Sequence, residues 1–398
     1  MATAPFGKST KRKSERPEFS LRPWENHQIF GCSRPRRAFS HAWQESWIPP
    51  VRSARVGAVR NHRMQDAQSP GGGRWADRWA AVSEYEAVAI LQAMHGLGSM
   101  GCRILLERFD SARRALRAEH REWANTLGWS GDAVIRARRT VSLADVKSDL
   151  RDLKQLGGSV LIESDLHYPP GWRGMSDPPV LVRCLGSPRC LIQQPVVAVV
   201  GSRRCTAVGV DLASRFSAAF VDAGWAVCSG GARGIDAAAH RACLRAGGAT
   251  IAVLGSGFGC PYPPEHSELF ARITDQGGVL VSELPVGRPP RPSQFPVRNR
   301  LVAGLCVGVL MVEAGARSGA LITGRLAAED YGREVLAIPG RVDTRGSAGC
   351  HRAVREGWAM LVDEPEQAIE QLETQAGLIG LYGSKMGLDD ESLVSEDS

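Results

Sequence analysis

The sequence predicts an α/β protein with a doubly wound, mostly parallel sheet, preceded by a small all-helical domain. Three observations carry this. Between 195 and 362, short apolar runs alternate with amphipathic helical stretches, the pattern of strands joined by crossover helices. Those runs are continuous rather than alternating with polar residues, as expected for strands covered on both faces. Between 83 and 157 such runs are missing, and the apolar residues recur at helical spacing behind N-cap residues.

The chain has 398 residues and a net charge of +7, enough for two domains with a large core. Residues 1–80 hold about fifteen Lys and Arg against about six acids, so the remainder is slightly acidic and the basic character belongs to the N-terminus. This stretch mixes Pro, Arg and Ser with isolated Trp24, Trp43 and Trp47 and ends in Ser69-Pro70-Gly71-Gly72-Gly73. It reads as a disordered basic arm. Such an arm can hold nucleic acid through phosphates and stacking; alternatively, translation starts further on, with Met64 in frame.

Ser83 opens a helix to Met94 with acids in its first turn. His95-Gly96-Leu97-Gly98-Ser99 and a second helix through Phe109 follow. Helix, Gly-x-Gly, helix is the helix-hairpin-helix pattern found in SAM-like helical domains; the same glycines serve equally as a turn between packed helices. Helices are expected over 111–128, 130–139 and 144–157, completing an all-helical domain over 81–157.

A strand at Val160 and a Pro-rich passage through Tyr168-Pro169-Pro170 and Asp177-Pro178-Pro179 lead into the sheet domain, 158–363. Strands are expected over 195–200, 225–228, 250–254, 279–282, 306–312, 334–338 and 360–362. Helices are expected over 206–223, 234–244, 264–276, 299–304, 319–331 and 347–357. In the helix over 206–223, Val210, Leu212, Ala213, Phe216 and Phe220 form the apolar side. Residues 364–398 read as a short helix to about 375 and an acidic tail, too short for a winged helix.

The loops decide the ligand, because open α/β sheets bind ligands at the strand carboxyl ends. The first central strand breaks at Gly201-Ser202-Arg203-Arg204, the next at Ser229-Gly230-Gly231-Ala232-Arg233. Neither is G-x-G-x-x-G, and the second strand ends in Cys228-Ser229 without an acid for a ribose, which disfavours a dinucleotide. What remains is a helix N-terminus, a hydroxyl and guanidiniums able to grip phosphate bidentately. Taken singly, each loop is equally a tight turn with solvated arginines; two adjacent loops with one recipe favour phosphate binding. Phe295-Pro296-Val297-Arg298-Asn299-Arg300 follows a proline-rich loop at a helix start, where an aromatic beside arginines can stack a base and neutralise a phosphate. Alternatively, Phe295 pins the loop and Arg300 pairs with Glu313. Ser318-Gly319 is a third strand-to-helix loop able to present N–H groups.

These residues also carry a resemblance. Gly201-Ser202-Arg203, the string from Ser229 to His240, Leu254-Gly255-Ser256-Gly257 with Tyr262-Pro263, Ser282-Glu283, and Phe295 to Arg300 match in order the motifs of the DprA/Smf family. Val312-Glu313-Ala314, Ser318 to Thr323, Gly332-Arg333 and Ile338-Pro339-Gly340 continue the match, which covers roughly 160–362 and more weakly 82–160. The chain departs from the family at Ser347-Ala348-Gly349-Cys350-His351, where the family has S-x-G-x-N. The resemblance implies a Rossmann-like domain and a non-enzymatic protein that binds single-stranded DNA. It further implies protection of incoming DNA in natural transformation, loading of the RecA recombinase, and a homodimer. The loop chemistry, with the resemblance placing the segment of Arg298 and Asn299 by the DNA pocket, assigns DNA-binding roles to Gly201, Ser202, Arg203, Arg204, Ser229, Gly230, Arg233, Phe295, Arg298, Asn299, Arg300, Ser318 and Gly319.

Other chemistry is poorly supported. Asp236 and His240 lie one helical turn apart, an arrangement suited to an acid/base pair or to a hydrogen bond orienting a loop. Glu283 and Glu313 end strands. No nucleophile stands beside a base, and neither metal-ligand spacing nor a cofactor motif is found. The P-G-G-x-G-T-x-x-E string of related nucleotide-cleaving enzymes is absent, which leaves a nucleotide-binding or nucleotide-cleaving enzyme as the alternative reading. Ten cysteines without C-x-x-C pairing, some of them (Cys228, Cys306) in apolar strands, suit a reducing, cytoplasmic setting. No apolar run is long enough to span a membrane.

Overall fold

The computed structural model describes residues 78–379; the first 77 residues of the expected arm and the acidic end at 380–398 lie outside them. The helical part comprises α1 (Glu84–Ala93), α2 (Gly98–Phe109), α3 (Ala112–Arg117), α4 (His120–Leu127), α5 (Gly131–Arg139) and α6 (Leu143–Gln155). Ser83 caps α1, and Glu86 returns a hydrogen bond to complete the capping box. Gly96 and Gly98 take φ values of 84° and 62°, which a side chain would strain, and so turn the chain between α1 and α2.

Two expectations need correction here. Residues 111–128 form two helices, because Ala118 is extended and Glu119 starts α4 with its own capping box to Glu122. The folded chain also begins before 81: Trp79 is fully buried with Ile90, Leu91, Leu105 and Trp123 in the core of the helical part.

Among the described residues the sheet has nine strands: β1 (Ser159–Ile162), β2 (Leu181–Gly186), β3 (Val196–Val200), β4 (Ala226–Ser229), β5 (Thr250–Val253), β6 (Val279–Ser282), β7 (Gly308–Met311), β8 (Glu334–Ala337) and β9 (Met360–Leu361). Their order is β1-β2-β6-β5-β4-β3-β7-β8-β9. β1 pairs antiparallel with β2 and β2 antiparallel with β6, whereas β3 through β9 run parallel. All five residues of β3 are buried, as the unbroken apolar run foretells. Val197 and Val199 face one core, while Val196, Ala198 and Val200 face the other, the period of two that a strand imposes.

The crossovers carry α8 (Ala207–Asp222), α9 (Ile235–Arg245), α10 (Ser267–Asp275), α11 (Gln294–Leu305), α12 (Gly319–Arg325) and α13 (Ala348–Arg355). α7 (Pro170–Arg173) precedes β2, and α14 (Pro365–Ile379) follows β9. On α8, Ala213, Phe216 and Phe220 are buried but Val210 is 41% exposed, so the apolar side is narrower than expected. α11 starts at Gln294 rather than 299. Its Pro296 sits in the first turn, where the missing N–H deprives the helix of no bond. The expected helix over 319–331 changes to a π-helical turn at Leu326–Asp330.

The chain winds from β3 outward through β4, β5 and β6, then returns to lay β7 on the other side of β3. That reversal places a topological switch point between β3 and β7. In such sheets the crevice at the carboxyl ends of those strands is the expected ligand site.

Candidate functional site

The loops singled out in the sequence meet at this carboxyl edge. Ser202 donates its N–H to the Glu313 carbonyl after β7 (2.8 Å) and accepts from Ile235 N at the start of α9 (3.2 Å). Gly234 has φ 78°, and a Cβ there would collide with the Ser202 carbonyl. Asn299 Nδ2 donates to the Gly319 carbonyl at 3.3 Å. The turns after β3, β4 and β7 and the start of α11 therefore form one connected rim.

The expected open helix N-terminus after β3 is corrected by the structure. Glu313, at φ 62°, turns its carboxylate onto the start of α8, where it accepts from Thr206 N (2.9 Å) and from Thr206 Oγ1 (3.1 Å). Thr206 Oγ1 in turn accepts from Gly209 N at 3.1 Å. Gly209 and Gly346 leave room for this carboxylate, since a Cβ at either would strike it. An anion thus already occupies the dipole-favoured position at the switch point, supplied by the chain itself. A non-glycine residue in the left-handed region costs roughly 1–3 kcal/mol, which the capping interactions offset.

The start of α9 is occupied in the same way. Asp236 is buried and accepts from Ala232 N at 3.2 Å. Burial raises its carboxyl above the usual range, and the nearby Arg298 guanidinium pulls it back. At α12, the Ser318 hydroxyl caps Leu321 N (3.4 Å). Ser229 is fully buried and donates to the Val199 carbonyl at 2.7 Å; its hydroxyl serves the loop rather than facing outward.

The arginines divide into two groups. Arg203 and Arg204 are exposed and make no ion pair among the described residues, and Arg233 is exposed and paired with the exposed Glu265. Arg298 and Arg300, both assigned to DNA binding from the sequence, are instead buried, at 6% and 8% exposure. Arg298 Nη1 donates to the carbonyls of Gly230 (2.5 Å) and Val253, locking the turn after β4 to β5. Gly230 is glycine because a Cβ would press on that guanidinium. Burial lowers the Arg298 pKa to about 10, with Asp236 opposing the shift, so the guanidinium remains charged at neutral pH. Arg300 pairs with Glu283 (2.5 Å) and Asp177 (3.4 Å), not with Glu313. Desolvation raises the Glu283 carboxyl, and Arg300 lowers it in part.

Phe295 is half-buried, and the Arg203 guanidinium lies over its ring, 5.2 Å from the centroid. Tyr262, which sequence reasoning passed over as a functional residue, contacts Phe295 at a centroid distance of 5.4 Å. Its neighbouring Tyr-Pro string was the available signal. Gly255 leaves space for the Phe295 ring, since a Cβ there would lie 2.8 Å from Cδ1.

Asp236 and His240 do not act on each other. His240 Nδ1 lies 2.8 Å from Thr250 Oγ1, which itself donates to the Val227 carbonyl. The imidazole therefore donates from Nδ1, and Nε2 has no partner among the described residues. Burial lowers its pKa to about 3, a neutral core histidine. His351, at the departure from the family string, has Nε2 2.9 Å from the Gly340 carbonyl. Cys228 and Cys306 are fully buried. Among the described residues no cluster of His, Cys, Asp or Glu is arranged to hold a metal, and no helix is long and apolar enough to cross a membrane.

Together these features define an open, doubly wound α/β protein in which the chain's own Glu313 carboxylate caps the helix start at the strand-end crevice, beside arginines and aromatic rings. The model of the DNA recombination-mediator protein A family matches residues 159–373, and the chain belongs to this family, also called DprA/Smf. It is 39% identical over 252 residues to Protein Smf of Escherichia coli, covering 63% of this chain and 67% of that protein. It is 41% identical over 206 residues to DNA processing protein DprA of Streptococcus pneumoniae, covering 52% and 71%. The X-ray structure of Streptococcus pneumoniae DprA superposes with a TM-score of 0.64 at 31% identity, over 73% of this chain and 98% of that one.

Proposed function

We propose that this protein binds single-stranded DNA along the rim, with Arg203, Arg204 and Arg233 taking phosphates and Phe295 offering its ring to an unpaired base. The observation that carries this reading is the exposed Arg203 guanidinium over the half-buried Phe295 ring, at the crevice where Glu313 caps the start of α8. With the Glu313 carboxylate already at the start of α8, a mononucleotide phosphate meets a like charge there, whereas exposed guanidiniums and rings suit a strand lying across the edge. Arg298, Arg300, Ser229 and Gly230 act from below, holding the turns in place. Asn299, Ser318 and Gly319 bind through the α12 side of the rim, and Gly201 and Ser202 through the turn after β3.

Membership of a recombination-mediator family supports the wider role: a non-catalytic, cytoplasmic homodimer that protects incoming DNA during natural transformation and helps load the RecA recombinase. The test is a titration of labelled single-stranded and duplex oligonucleotides of one sequence, with a mononucleotide as competitor. The reading expects preference for the single strand and no competition at similar concentration. Effective competition by the mononucleotide would instead favour a nucleotide-binding or nucleotide-cleaving enzyme.

A further inference from the structure

The rim contains one arrangement twice. Arg203, from the turn after β3, lies over Phe295. Arg233, from the turn after β4, lies over Tyr262 with its guanidinium carbon 5.6 Å from the ring centroid. The two rings touch, inclined at 52°. Each unit pairs a phosphate-seeking cation with a half-buried aromatic face, which are the two parts that hold a single nucleotide.

We propose that Arg233 and Tyr262 form a second nucleotide half-site beside Arg203 and Phe295, so that the rim takes two consecutive unpaired nucleotides. The inference rests on the single-strand reading above and adds to it a residue, a length and an order of filling. Consecutive bases of a duplex strand are stacked about 3.4 Å apart. Rings whose centres lie 5.4 Å apart and whose planes are inclined cannot each face one of two bases held in that stack. The ligand must open its stack to fill both units, which a paired strand resists.

Glu265 sets the order. It pairs with Arg233 through Nε, while Tyr262 Oη lies 3.3 Å from Nη1, so the second guanidinium is docked on the chain's own carboxylate. Arg203 makes no ion pair among the described residues. A phosphate therefore reaches Arg203 without a competitor and has to displace Glu265 to reach Arg233. The first half-site fills first, and Glu265 guards the second.

The test uses the full chain and anisotropy titrations with a labelled single-stranded oligonucleotide and with a wholly abasic strand of equal length. Tyr262→Leu weakens binding to the intact strand by about fivefold to a hundredfold, and Tyr262→Phe restores it. On the abasic strand Tyr262→Leu and the unaltered protein bind alike. Arg233→Gln weakens both strands and flattens the log–log salt dependence by about 0.7; Glu265→Gln tightens binding at low salt. If Tyr262→Leu does not fold, the two substitutions at exposed positions decide, and unchanged affinity in both overturns the half-site. If Tyr262→Leu binds as the unaltered protein does while Phe295→Leu is weakened, the second half-site is wrong and the single-strand reading stands. If Arg203→Ala and Phe295→Leu are also without effect, that reading fails at this rim and the half-site with it.

Discussion

Arg203 and Arg298 belong to the same edge of the same sheet, yet the first is exposed and the second is buried against the carbonyls of Gly230 and Val253. The difference is one of partners. Arg298 and Arg300 satisfy their donors with groups brought from distant parts of the chain, including Asp177, Glu283 and the turn after β4. Arg203 and Arg204 find no ion-pair partner among the described residues and keep their charge at the surface. A buried guanidinium here holds a shape; on the proposed reading, the exposed ones without an ion pair are left for a ligand. Substituting across this divide should therefore separate effects on stability from effects on binding.

The largest effect is expected below the rim. Arg298→Ala leaves Asp236 buried without its cation and two carbonyls without a donor. Breaking such a buried arrangement typically costs about 3–5 kcal/mol, so urea unfolding should show a midpoint far below that of the unaltered protein, with or without DNA. A normal midpoint together with lost DNA affinity would put Arg298 in the binding group instead.

Next comes the buried histidine. Its pKa of about 3 lies below the ordinary value of about 6.5. As pH falls through 6.5 the unfolded chain takes up a proton that the folded chain refuses. This contribution is therefore complete above 6.5 and is lost toward pH 3, at up to about 1.4 kcal/mol per pH unit. Asp236 and Glu283, whose carboxyls are raised by burial, act in the opposite sense and favour folding as pH falls through their folded values. Comparing the unaltered protein with His240→Gln isolates the histidine: the variant should lose stability less steeply between pH 6 and 4. Parallel curves would mean that the imidazole is protonated inside the fold.

A smaller effect is expected from Phe295→Ala. It should cost about 1–3 kcal/mol of affinity for an intact single strand and nothing on an abasic strand. A loss that persists on abasic DNA would assign the ring to packing in the pocket beside Gly255. Least affected should be a chain lacking residues 1–77. Removing that positive charge should weaken binding at low salt and make the salt dependence shallower, by about 0.7 for each phosphate that the arm no longer neutralises. Near physiological salt little should change, because exposed charges are screened.

Much of the fold was legible because it rests on local patterns. The apolar run of β3 and the Ser83 cap are each written in adjacent residues, and the structure has both. α11 starts before the expected 299 because its first turn tolerates Pro296, a residue that otherwise signals loop. The break at Ala118 was hidden inside a stretch whose composition suits a continuous helix. In the site, the positions of the loops followed from strand ends, but the fate of each arginine did not. Nothing near Arg298 announces Gly230 or Val253, and nothing near Arg300 announces Asp177. Glu313 was visible as a strand-end acid, while its turn onto α8 depends on a left-handed backbone and on the space left by Gly209 and Gly346.

The most direct test of the division between rim and foundation is the affinity of an Arg203→Ala, Arg204→Ala protein for single-stranded and duplex oligonucleotides of one sequence at about physiological salt, with its melting temperature recorded alongside. The account predicts unchanged melting, an affinity for the single strand lower by about 1.5–3 kcal/mol for each guanidinium–phosphate hydrogen bond removed, and loss of the preference over duplex. A doubly substituted protein that melts normally and still prefers the single strand to the same degree would contradict it.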